Sequence, residues 1–172
     1  IFIILFMACI MVMSMTIYTL PFGVALGSFF AASAYMLLRA KAPKTGAIIL
    51  FGILFGLVMF AMGSGWPILV AVITSSIIAE LIARSGHYKS YTCEVIGYCI
   101  LMMGTAVGSY IPFLVMKDYY LKLAEGNSIN GEFMSRLVEF ISGPYLMLAL
   151  VTTIVTAILG TMLARAIFKK HL

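Results

Sequence analysis

Long apolar runs separated by short polar stretches dominate this 172-residue chain. A helix crossing a hydrocarbon core of about 30 Å needs about 20 predominantly apolar residues. The polar punctuation leaves six runs near that length: residues 1–18, 22–38, 46–62, 67–83, 95–116 and 145–168. The pattern predicts an all-α integral membrane protein, a six-transmembrane-helix bundle forming one domain over residues 1–172. Pro21 and Pro67 stand at or just before helix starts, where the missing N–H removes no hydrogen bond. Pro112 lies inside the fifth run and predicts a kink near its end. The chain opens at Ile1 inside an apolar run, which reads as a trimmed or unassigned N-terminus, since signal-peptide cleavage leaves a polar start.

The longest polar stretch, "MKDYYLKLAEGNSINGEFMSRLVEF", separates the last two runs. Within and just after it, Ile129, Phe133, Leu137, Phe140 and Ile141 recur at helical spacing after Asn130, an N-cap residue, with Glu132 in the first turn. This predicts a short amphipathic helix lying on the membrane surface. Two readings fit it: a lid over a binding site, or a connector whose apolar face rests on lipid headgroups.

Charge orients the bundle. Alternating the ends of six spans gathers Arg39, Lys41, Lys44, Arg84, Lys89, Arg165, Lys169 and Lys170 on one side and leaves Lys117, Lys122 and Arg136 on the other. The side rich in cations is expected to be cytoplasmic, with both termini inside. The polar stretch, Thr19 to Pro21 and the turn Gly63 to Trp66 then face outward.

Composition agrees, with 63% apolar and 10% charged residues and a mean hydropathy of +1.14. A soluble domain has about 45–50% apolar and about 25% charged residues. The excess of basic residues beside apolar runs reports membrane orientation and excludes a nucleic-acid partner. Cys9, Cys93 and Cys99 form no CxxC pair, His87 and His171 are far apart, and the sequence predicts neither a metal site nor a cofactor. No phosphate-binding loop, dinucleotide fingerprint or nucleophile with its base is present, so the chain is not expected to be an enzyme.

Small residues four apart recur at Gly23 and Gly27, Gly52 and Gly56, Ala79 and Ala83, Gly104 and Gly108, and Gly160 and Ala164. They allow close helix packing in lipid. No acid sits at a span centre. Glu80 stands at i,i+4 from Arg84, which predicts an ion pair in preference to a proton relay, and Glu94 suits the positive N-terminus of the fifth span.

A polar and aromatic rim remains at the outward end: Ser64, Trp66, Ser109, Tyr110, Tyr119, Tyr120, Asn127 and Tyr145. Taken singly, these aromatics fit a belt at headgroup depth. Taken together, they fit a pocket that stacks and hydrogen-bonds a planar small molecule, and Ser64, Trp66, Ser109, Tyr110, Asn127 and Tyr145 are the candidate ligand-binding residues. The thirteen methionines add adaptable lining and packing.

The segments "GSGWPILVAVITSSIIAELIARSGHYKS" and "GTAVGSYIPFLVMKDYY", with the loop before the last span, resemble the Trep_Strep family of S components. S components are the substrate-binding subunits of energy-coupling factor (ECF) transporters, a class of ABC importer. The resemblance runs over essentially the whole chain. It implies micronutrient uptake across a bacterial cell membrane: a vitamin-like ligand is captured outside, a transmembrane coupling subunit is engaged, and two cytosolic ATPase subunits drive release inside. S components carry an AxxxA pattern on the first helix for docking, whereas this chain has only Ala8 there. The alternative docking residues are Gly23, Gly27 and Ala31. Competing readings are a self-sufficient secondary transporter or channel, which calls for inverted repeats or an embedded acid, and a non-transporting membrane scaffold.

Overall fold

A computed structural model of the chain describes residues 3–5, 7–8, 22–42, 44–116, 118, 122 and 145–167. The rest of the expected first span lies outside these residues, as do Tyr119, Tyr120, Asn127 and the expected amphipathic helix at 129–141.

Among the described residues, five helices are long and apolar enough to cross a membrane. They are α1 (Gly23–Lys41), α2 (Ala47–Met59, continuing as a wider π-helical turn over Phe60–Ser64), α3 (Trp66–Ser85), α4 (Tyr91–Val115) and α5 (Tyr145–Ile167). They correspond to the last five of the six expected spans. α4 starts four residues before the expected boundary because Ser90 caps it by accepting from the Cys93 N–H at 3.5 Å. It then runs through Pro112 to Val115, and the Met116 N–H closes its last turn on the Pro112 carbonyl at 2.8 Å.

α3 packs against α2 and α4, while α1 packs against α5 and α4. The faces are sorted by size. α5 buries Ala149, Thr153, Ala157, Gly160, Thr161 and Ala164 and exposes Leu148, Val151, Val155, Leu159 and Met162. In lipid, a large apolar side chain gains nothing by leaving the surface, so small residues take the contacts and the large ones meet acyl chains. A side chain at Gly160 would collide with the Phe29 carbonyl and Ala32, and one at Gly104 would collide with Ser75. Of the five expected small-residue pairs, Gly104/Gly108 and Gly160/Ala164 therefore lie at helix contacts. Hydroxyls tie the same seams: Ser28 Oγ lies 2.8 Å from Thr156 Oγ1, and the Tyr98 hydroxyl donates to the Ser28 carbonyl.

The contacts Ser28–Thr156 and Ala32–Gly160, one turn apart, show that α1 and α5 run parallel. With the connectivity of the other helices, this places Arg39, Lys41, Lys44, Arg84, Lys89 and Arg165 at one end, hereafter the basic end. Phe22, Ser64, Trp66, Tyr110 and Tyr145 mark the opposite end.

Candidate functional site

At the opposite end, α2 does not stop cleanly. It widens over Phe60–Ser64, and the chain turns on Gly63 (φ 87°) and Gly65 (φ 82°) before Pro67 opens α3. Both values lie in the left-handed region, where a Cβ is costly and glycine is not. The turn leaves Trp66 at 48% exposure, and Tyr145 opens α5 at 47%. Both rings are thus presented at the membrane boundary, as either a belt or a binding rim requires.

Ser64 and Ser109 are half-buried with committed hydroxyls: Ser64 Oγ donates to Met59 Sδ at 3.9 Å and Ser109 Oγ to the Thr105 carbonyl at 2.7 Å. Tyr110 behaves differently from Trp66 and Tyr145. Only 5% of it is exposed, because it turns from α4 into the bundle toward the first turn of α1. The Val24 backbone is the polar group that reaches its hydroxyl, without the geometry of a full hydrogen bond. Asn127 falls outside the described residues. The close approach of Gly108 to Ile68 brings the end of α4 against the start of α3, so Tyr110 and Trp66 flank one helix contact.

The docking candidates Gly23, Gly27 and Ala31 are buried on α1.

The basic end holds a constellation that the sequence pattern did not reveal. Arg39 Nε and Nη2 each donate at 2.8 Å to the Glu94 carboxylate, forming a two-pronged ion pair between α1 and α4. The Tyr35 hydroxyl approaches the same carboxylate at 3.5 Å. Glu80 corrects the expected pairing with Arg84. Its carboxylate accepts from the Gly46 N–H at 2.9 Å, the Ile48 N–H at 2.9 Å and the Tyr88 hydroxyl at 3.0 Å, while Arg84 is exposed. The start of α2 has no capping side chain of its own, since Gly46 stands at its N-cap, and a carboxylate from α3 supplies what is missing.

The link from α3 to α4 completes this arrangement. Tyr88 N–H donates to the Ala83 carbonyl at 3.0 Å and His87 N–H to the Arg84 carbonyl at 2.9 Å, the bond pair of a Schellman helix end. His87 (φ 51°) and Tyr88 (φ 57°) both sit in the left-handed region that glycine usually fills. Each costs about 1–2 kcal/mol. The Tyr88 contacts offset part of that cost: its hydroxyl reaches Glu80, and the Arg39 guanidinium lies 5.1 Å from its ring centroid. Arg165 lies 4.2 Å from the Tyr91 ring centroid, tying α5 to the same end.

Chemically, the basic end holds two buried carboxylates, each engaged across helices, an arrangement suited to keeping helices in register. The opposite end offers exposed rings and the buried Tyr110 hydroxyl, which, like that of Tyr91 at the basic end, has no hydrogen-bond partner among the described residues. Among the described residues, no three His, Cys, Asp or Glu side chains converge as a metal site would need.

No match was found among curated proteins or among solved structures. The family model described as "hypothetical bacterial integral membrane protein (Trep_Strep)" matches residues 1–172. With its apolar helices packed through small residues and its whole length matched, the chain belongs to the Trep_Strep family of multi-pass integral membrane proteins.

Proposed function

We propose that this protein is the substrate-binding membrane subunit of an ECF-type importer. It captures a vitamin-like or other micronutrient ligand at the outer face of the bacterial plasma membrane. A transmembrane coupling subunit and two cytosolic ATPases, separate chains, supply the energy for release inside. The basic end then faces the cytoplasm, as the positive-inside rule favours, and the end with Trp66, Tyr110 and Tyr145 faces outward.

The observation that carries this reading is the engagement of the buried carboxylates. Ion-coupled transporters need an ionisable group in the membrane that can exchange its proton or cation during the cycle. Here Glu94 is held by two short bonds from Arg39, and Glu80 by two backbone amides and a tyrosine hydroxyl. Both therefore serve as fasteners between helices. Uphill transport by such a bundle draws its energy from partners.

Purification of the tagged protein from native membranes in mild detergent, followed by mass spectrometry of proteins and small molecules, tests this reading. Two ATPase chains, a coupling subunit and a small planar solute are the expected companions. A protein recovered without ATPases, yet active in gradient-driven uptake, overturns it in favour of a secondary transporter.

A further inference from the structure

The start of α1 is a helix terminus without a side-chain cap. Phe22 at its N-cap makes no side-chain capping bond, and the first turn holds no acidic residue. The first amide groups of a helix have no acceptor within it, and together with the helix dipole they carry about half a positive charge. Such a terminus attracts an anion. By itself this is common to many helices.

The second observation is Tyr110. Its hydroxyl is buried, and among the described residues it has no hydrogen-bond partner, although the ring is 5% exposed and the Val24 amide of that same first turn lies beside it. A buried hydroxyl without a partner is rare, because leaving water without replacing the hydrogen bond is unfavourable. The amide beside it is a donor, so the hydroxyl proton is left to donate elsewhere. Among the described residues, two donors and no acceptor therefore converge at one point, next to a helix start that favours negative charge.

We infer that this point receives a carboxylate of the transported solute, with the Tyr110 hydroxyl and the opening amides of α1 as its donors. The inference rests on the outward-facing binding role proposed above and deepens it: the solute is an aromatic or planar acid, its ring meeting the half-exposed aromatics and its acid group reaching the start of α1. An acidic lipid headgroup offers similar chemistry, but Tyr110 is turned into the helix contact, away from the acyl-chain surface.

The test uses the full chain in nanodiscs of phosphatidylcholine, with benzoate and benzamide as probes at equal ionic strength and thermal unfolding as the readout. Benzoate is expected to raise the unfolding midpoint of the wild type and benzamide to raise it far less. Y110F is expected to keep or slightly raise the midpoint without probe while weakening benzoate binding at least tenfold. Equal responses to both probes, no response to either, or a Y110F protein that binds benzoate as tightly as the wild type overturns the inference. A Y110F midpoint several degrees lower without probe means that water or protein already satisfies the hydroxyl, and also overturns it. A Tyr110-dependent response to phosphatidylglycerol that abolishes the benzoate effect assigns the point to lipid and overturns the solute carboxylate. A neutral solute recovered from native membranes together with the ATPases sinks this inference while leaving the importer reading intact.

Discussion

Replacing Glu94 with glutamine keeps the shape of the side chain and removes its charge, which isolates what the ion pair contributes. Arg39 and Glu94 have side-chain exposures of 4% and 10% and are joined at 2.8 Å, so neither charge has water to fall back on. An exposed pair contributes about 0.2–1 kcal/mol. Leaving one partner of a buried pair uncompensated costs about 3–5 kcal/mol. The guanidinium keeps a long contact to the Ala42 carbonyl at 3.4 Å and the Tyr88 ring, which places the expected loss toward the lower end of that range, about 3 kcal/mol. That is about a hundredfold in the folded ratio. Leucine at both positions removes the charges together and should recover most of the loss, because the penalty belongs to the orphaned charge and not to the missing bond. Unfolding by sodium dodecyl sulfate in mixed micelles reads E94Q beside a cycle made of R39L, E94L and the double leucine variant. A loss below 1 kcal/mol for E94Q, or a double variant no better than the leucine singles, refutes the view of this pair as a buried fastener.

Gly160→Leu should lower stability by about 1–3 kcal/mol through overpacking against Phe29 and Ala32, while Leu159→Ala on the lipid-facing side should change it little; thermal unfolding in detergent compares the two. Gly46→Ala has open space around the new Cβ but must hold φ near 88°, so a loss of about 1 kcal/mol is expected, with Gly46→Asn milder; the same unfolding assay checks both. In a cysteine-free background, a cysteine at Asn127 should react with an impermeant thiol reagent on intact cells and one at Lys44 only after permeabilisation; reversed labelling overturns the assignment of the basic end to the cytoplasm.

Much of the fold is written in the spacing of apolar runs, because lipid imposes a length and a continuity that water does not. The runs that became α2, α3 and α5 match their helices to within a few residues, and the pairs Gly104/Gly108 and Gly160/Ala164 fall on real contacts. What the spacing could not show is which side chains meet across helices. Glu80 has a nearby sequence partner in Arg84, yet it binds amides more than thirty residues away, and Arg39 and Glu94 are separated by 55 residues. Gly46 opens α2 without a capping side chain, which leaves its first amides available to a carboxylate from another helix but does not say which one. No signal existed for Tyr110. A tyrosine near the end of a span reads the same whether its ring turns outward to headgroups or inward to a helix start, and only the packing of α4 on α1 separates the two.

The central claim is that the chain binds its solute but does not drive transport. Its most direct test is uptake into proteoliposomes of the small molecule recovered with the protein from native membranes. The chain alone, under a proton or sodium gradient, is expected to give no accumulation above equilibrium, and addition of the coupling and ATPase subunits with ATP is expected to give it. Full concentrative uptake by the chain alone would contradict the account.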